Sequence, residues 1–205
     1  YYKDSFKAEK KIFKQEILDL KRFSKLEPIK INPKDVNETS FIDEIKKLDP
    51  YFFLTLGGPL YKKSLLETIS GVAINQHAGH SPKLKGSHTT EWALYHRSLN
   101  YVSNTVHITT TGADAGPILK RSNPCIFQND DINTIFVRVV ALGTELMIEV
   151  VKEIIKNKNV RVFIQPRTVG KTYLGKEFKP YILRSLIRDF KANWLKDELN
   201  RLRDF

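Results

Sequence analysis

The sequence predicts an α/β domain: a mainly parallel, twisted sheet flanked by helices. Three observations carry this. Residues 51–56 and 71–75 are continuous apolar runs, each closed by glycines or a polar loop, as in strands buried on both faces. Segments of helical period alternate with these runs along most of the chain. Residues 131–156 place Ile132, Ile135, Val139, Leu142, Leu146, Val150 and Ile154 on one face of a long helix.

Taken in order, residues 5–23 carry Phe6, Phe13, Ile17 and Leu20 at helical spacing between lysines, an amphipathic helix. Residues 28–37, with Pro28, Pro33, Ile29 and Ile31, predict a brief strand and a loop. Thr39 or Ser40 caps a helix reaching Leu48, which Asp49-Pro50 ends. The strand over 51–56 stops at Gly57-Gly58-Pro59, and a short helix over 61–68 leads to the strand over 71–75. A loop rich in Gly, His, Ser and Pro covers 76–87, followed by a helix over 88–97 around Trp92, a core residue. Residues 104–111 alternate polar and β-branched types and read as a strand, and 112–117 form a tight turn. A further strand is expected over 160–164, and one amphipathic helix from Phe178 to the end. Residues 1–165 are thus assigned to the α/β domain and 166–205 to a mostly helical extension.

Composition bounds the function. A chain of 205 residues with 41% hydrophobic and 28% charged residues has the make-up of a globular domain, which argues against disorder. One cysteine, Cys125, excludes an internal disulfide and a cysteine zinc site. No apolar run reaches the ~18 residues of a membrane helix, so no membrane partner and a cytoplasmic location are expected. The net charge of +11 would attract polyanions, but the lysines lie on helix-like segments and no aromatic-plus-basic motif accompanies them, so nucleic acid is not an expected partner.

Asn75 and His77 stand at the carboxyl end of a predicted buried strand and Asp114 just beyond another, where open α/β sheets build their sites. On extended backbone, residues two apart point the same way, so the Asn75 amide and the His77 imidazole face one cavity. A carboxylate arriving from another loop could orient that imidazole or share its proton. Gly112 and Gly116 would let the Asp114 turn approach closely. His80, His88 and His107 fit no zinc spacing with His77, and no metal is expected.

The run 72–86, Val-Ala-Ile-Asn-Gln-His-Ala-Gly-His-Ser-Pro-Lys-Leu-Lys-Gly, resembles the signature of the folate-dependent formyltransferase family, a strand ending in Asn-x-His and a Pro-to-Gly loop. Trp92-Ala93-Leu94, Thr105-Val106-His107 and Gly112-Ala113-Asp114-Ala115-Gly116-Pro117 follow in the family's order. The resemblance is close over about residues 49–121 and looser elsewhere. It implies 10-formyltetrahydrofolate as formyl donor and an amine as acceptor. Asn75 would donate to the formyl oxygen, His77 would stabilise the same charge, and Asp114 would set the histidine's state and pass protons. The pterin would lie along Leu54, Leu56, Gly57 and Gly58 and against Gly112 and Ala113. Ser81, Lys83, Lys85 and Gly86 would meet the acceptor. Gln165 to Tyr173 resembles a late segment of some members, an acceptor contact or a domain edge.

Two departures matter. Nothing before Tyr51 resembles the strand, glycine turn and helix that open the family's fold, so about two strands are expected to be missing from the start. Initiator-tRNA formyltransferases carry a further β-barrel, whereas about 90 residues follow Asp114 here, ending in a predicted helix. The expected acceptor is therefore a nucleotide-linked amino sugar, as in formyltransferases of polysaccharide clusters, acting in a possible homodimer. The alternatives are transfer to glycinamide ribonucleotide or methionyl-tRNA, hydrolysis of the folate donor, or folate binding without turnover.

Overall fold

A computed structural model describes residues 2–13, 30–158, 160–166 and 168–203. Helix α1 (Tyr2–Ile12) and helix α2 (Thr39–Leu48) precede strand β1 (Phe52–Leu56). A single helical turn, α3 (Lys63–Leu66), leads to β2 (Val72–His77). Then come β3 (Leu84–Gly86), α4 (Thr89–Tyr95), β4 (Asn104–Ile108) and β5 (Ile118–Ser122). Helix α5 (Ile132–Asn157), β6 (Lys171–Tyr173), α6 (Pro180–Lys191) and α7 (Trp194–Arg203) complete the order.

The main sheet runs β1-β2-β4-β5, and β3 pairs with β6 in a separate parallel pair. The α/β class with flanking helices holds, but the main sheet is mixed. Only β1 and β2 are parallel, while β4 runs antiparallel to β2, and β5 to β4. Apolar runs do not report strand direction, and β1 is not buried on both faces, Leu54 and Leu56 being 46% and 53% exposed, so the pattern suggested a mainly parallel sheet that the fold does not have.

Helix α5 is the shared spine of two cores. Its first turns, Ile132, Ile135 and Val139, pack with Trp92 and Leu94 of α4, Ile182 and Leu186 of α6, and Trp194 and Leu195 of α7. Its later turns, Leu146, Met147, Val150 and Ile154, cover Ile74 and Val106 of the sheet. The helix starts at a reciprocal cap: Thr134 N donates to Asp131 Oδ1 at 2.7 Å, and Asp131 N donates to Thr134 Oγ1 at 2.7 Å. Its middle is seated by side chains from the strands, Asn104 Nδ2 donating to Val139 O at 3.1 Å and Gln76 Nε2 to Val140 O at 2.6 Å. Gly143 permits this contact, since a Cβ there would stand 2.1 Å from Asn104 Nδ2.

Several expectations are corrected. The first helix spans Tyr2–Ile12, and the rest of the 5–23 prediction falls largely on 14–29, outside the described residues, as does Ile29. Residues 30–37 form turns rather than a strand, Pro33 opening a run of them. Residues 160–164 form no strand, only a bridge in which Ile118 N and Phe163 O lie 2.8 Å apart. Phe163 and Ile164 are 58% and 68% exposed, so β-forming side chains there lack a surface to pack on. The loop 76–87 contains β3, and the terminal helix is two helices, broken where Asn193 turns left-handed at φ 60°.

Candidate active site

The site begins as a row across the sheet. The register aligns Thr55 of β1 with Asn75 of β2, and Asn75 with His107 of β4, so their side chains share one face. Thr55 Oγ1 donates to Asn75 Oδ1 at 2.8 Å. With its oxygen engaged, the amide must turn its NH2 the other way. There Asn75 Nδ2 donates to Asp114 Oδ1 at 3.3 Å and lies 3.2 Å from His107 Nε2.

His77 stands two residues along the same face, 6% exposed. Its Nε2 lies 3.0 Å from Leu84 O, and its Nδ1 lies 3.2 Å from Asp114 Oδ2. A neutral imidazole carries one N–H and satisfies one of these acceptors; the doubly protonated ring satisfies both. Burial disfavours that charge and lowers the His77 pKa, while the Asp114 carboxylate and the Leu84 carbonyl pull it back up. Burial outweighs them, and the net shift is downward.

Asp114 sits at φ 47°, on a turn that curls back over β2 and β4. Burial alone would raise its pKa. The His107 hydrogen bond, the His77 charge and the Gly86 N–H outweigh burial and hold the carboxyl below its usual range. His107 Nε2 lies 3.3 Å from Asp114 Oδ1, and His107 Nδ1 lies 2.8 Å from Ile108 O. Gly86 N donates to Asp114 Oδ2 at 2.8 Å. Gly86 itself has φ 88°, and a Cβ there would stand 2.2 Å from Tyr173 O, so only glycine lets β3 reach the carboxylate.

The structure brings Asn75, His77 and Asp114 together, with Gly86 as a direct partner of the carboxylate. Ser81 is fully buried and its hydroxyl donates to Asp114 O at 3.3 Å, so it ties the loop to the turn. Lys83 is exposed and Lys85 half-buried on the strand paired with β6. Gly57 turns left-handed at φ 61° beyond β1, and Gly112 and Ala113 lead the Asp114 turn. Leu54 and Leu56 alternate with Thr55 and project from the other face, 46% and 53% exposed, so only their backbone flanks the row. His80 and His88 stand apart, against Tyr101 and Phe178.

Sequence reasoning missed Thr55 and gave His107 no role. The signal for Thr55 was its place as the one hydroxyl in an apolar strand. For His107 it was the antiparallel register opposite Asn75, which needs the pairing to be known.

An amide oriented against His107 and a buried carboxylate shared by two imidazoles, on the sheet of an α/β domain, are groups that can donate to an anion and exchange protons. The family is shown by comparison: the formyl transferase model matches residues 3–151, and the chain belongs to the formyl transferase family. A methionyl-tRNA formyltransferase of Thermodesulfovibrio yellowstonii is 30% identical over 163 residues, covering 79% of this chain and 49% of the relative. A methionyl-tRNA formyltransferase of Prochlorococcus marinus is 28% identical over 178 residues, covering 85% of this chain and 53% of the relative. The chain thus spans about half the length of these curated relatives. Among solved structures, the formyltransferase PseJ from Anoxybacillus kamchatkensis, in complex with UDP-4,6-dideoxy-4-formamido-L-AltNAc and tetrahydrofolate, superposes with a TM-score of 0.61. It is 21% identical and the match covers 76% of each chain. A likely sugar N-formyltransferase from Mycobacterium tuberculosis superposes with a TM-score of 0.59 at 21% identity, covering 79% of this chain and 70% of that one.

Proposed function

We propose that this chain carries the catalytic centre of an N-formyltransferase, moving the formyl group of 10-formyltetrahydrofolate to a primary amine. The observation that carries the reading is the Asn75 amide. Its oxygen is fixed by Thr55, so its N–H groups are presented beside His107 and Asp114. As the amine nitrogen attacks the formyl carbon, the carbonyl oxygen takes negative charge. Asn75 Nδ2 is the donor for that oxygen, and His77, whose nitrogens lie against Leu84 O and Asp114 Oδ2, adds a second N–H once its ring turns from Leu84. The attacking nitrogen gives up a proton, for which Asp114 is the acceptor, and the folate N10 takes one as the C–N bond breaks. The products are a formamide and tetrahydrofolate, and the proton count balances.

For the acceptor the reading is an amino sugar linked to a nucleotide. Its support is the likeness in fold, over 76% of that chain's length, to the formyltransferase PseJ in complex with such a sugar and tetrahydrofolate. A second reading, transfer to methionyl-tRNA, is favoured by a different observation, the name carried by relatives such as the one 30% identical. Both use the same centre and differ in what docks beside it.

One experiment separates them. The chain is incubated with 10-formyltetrahydrofolate and, in parallel, with UDP- and dTDP-amino sugars, methionyl-tRNA, or no amine, and tetrahydrofolate is followed. Formation only with an amino sugar supports the first reading, and only with methionyl-tRNA the second. Equal rates with no amine would replace both by hydrolysis. Rates unchanged in a folded His77→Ala variant would sink the mechanism.

A further inference from the structure

The turn bearing Asp114 receives little from the sheet. Its own closing contact, Ala115 N to Gly112 O, is 3.5 Å long. The ladder of β4 and β5 reaches it only at Ile108 N to Pro117 O, 2.9 Å. Asp114 nevertheless holds a left-handed φ of 47°, a conformation that needs outside support in a residue with a side chain.

Beside the Ser81 hydroxyl on Asp114 O, that support comes from Gln165, 51 residues further along and outside any strand or helix. Its Nε2 donates to Asp114 O at 2.9 Å and to Gly116 O at 2.6 Å. Two carbonyl acceptors admit only the nitrogen, so the amide has one possible orientation. The cost is visible: Gln165 is 8% exposed and its Oε1 is buried without a partner. A buried orphan acceptor calls for an explanation. Here it is the consequence of aiming both N–H groups at the turn.

We infer that Gln165 is a positioning residue for Asp114: by clamping the carbonyls of Asp114 and Gly116, it keeps the carboxylate against His77. The bridge between Ile118 and Phe163 delivers Gln165 to this place, two residues beyond the bridge. The inference rests on the reading of Asp114 as the group that sets the state of His77. Among the described residues, the titratable groups facing Asp114 are His77 from β2 and His107 from β4.

The test needs neither folate nor acceptor. The imidazole of His77 is titrated by two-bond proton–nitrogen spectra of the 15N-labelled chain. Asp114→Asn, which removes the carboxylate's charge, sets the full downward shift of the His77 midpoint. Gln165→Met keeps the length of the side chain and removes both donors; its midpoint is expected to fall at least half as far as in Asp114→Asn. Gln165→Asn keeps the amide but is one methylene short, and is expected to fall between Gln165→Met and the parent. A packing role alone would lower the melting temperature and leave the midpoint in place. Midpoints equal to the parent's in Gln165→Met and Gln165→Asn would overturn the inference, and if the Met variant does not fold the Asn variant decides alone. No shift in Asp114→Asn would instead overturn the premise about Asp114. Failure of formyl transfer would leave both results readable.

Discussion

The two halves of the site are held in place by different means. Thr55, Asn75, His77 and His107 stand on strands whose ladder fixes them, with α5 seated behind by Gln76, Asn104 and Gly143. Asp114 stands on a turn held by isolated hydrogen bonds, two from Gln165 and one each from Ser81 and the Gly86 N–H. On the strands, removing a side chain leaves the backbone where it was, so the loss is one of chemistry. On the turn, removing a support moves the carboxylate, so the loss is one of geometry. Comparable falls in activity should therefore come with different changes in stability.

The largest effect is expected on the strand half. Asn75→Ala deletes the amide proposed as donor for the formyl oxygen while β2 keeps both neighbours. Transfer should fall roughly 100- to 1000-fold, with a melting temperature close to the parent's. Steady-state tetrahydrofolate formation and thermal melting check this together. A fall of less than tenfold would mean that the amide is not the oxyanion donor.

Gly116→Ala should produce the contrasting pattern on the turn half. A Cβ there would stand 1.8 Å from Ile108 O, a backbone atom that cannot swing aside. The turn must lift from β4, at a stability cost of about 1–3 kcal/mol, and Asp114 must leave the histidines. Urea unfolding should show the stability loss and turnover should fall at least about tenfold. Full activity at reduced stability would show that the turn moves without carrying Asp114.

The same contrast governs what the sequence disclosed. The strand half was legible because Asn75 and His77 share an extended segment, whose period of two puts them on one face. Asp114 was legible through its glycines and its place after a strand. Thr55 was not, since apolar residue types stand on both faces of its run, including Leu54 and Leu56, which the fold leaves 46% and 53% exposed, so alternation is silent. Gln165 was singled out only as the start of a segment read as an acceptor contact or a domain edge; its tie to Asp114 was hidden, since nothing local in 160–166 tells that a single bridge to Ile118 will bring it under a turn 51 residues earlier. The direction of β4 was hidden for a general reason: burial patterns say which residues are covered and leave strand polarity open. The break between α6 and α7 falls at Ala192-Asn193, without the Gly or Pro that would have marked it.

A smaller effect sharpens the account of the amide. Thr55→Val keeps the shape of the side chain and removes the hydroxyl that fixes Asn75 Oδ1. One hydrogen bond contributes roughly 0.5–1.5 kcal/mol, so transfer should fall by about tenfold or less, with the KM for the folate donor nearly unchanged. Thr55→Ser, which retains the hydroxyl, should recover most of the loss. A Val variant as active as the parent would mean that Asn75 is oriented by Asp114 and His107 alone.

The smallest effect separates the site from its surroundings. His80 is half-buried against Tyr101, near Arg121 and Lys83. Burial first, and then these two cations, push its pKa down to about 4. In the unfolded chain an imidazole takes its proton near pH 6.5. Between these values the unfolded state binds a proton that the folded state refuses, so stability falls as pH falls from about 6.5 towards 4. His77, also lowered, adds to the same limb. Asp114 does not, because its carboxyl is held below the usual range and its stabilisation is lost only at more acid pH. His80→Gln should therefore flatten the decline in melting temperature between pH 7 and pH 4.5 without abolishing it, leaving the contribution of His77. Because His80 touches Ser103 and Tyr101 and none of the cluster, transfer at pH 7.5 should be unaffected. A decline as steep as the parent's would place the acid sensitivity in His77, inside the site.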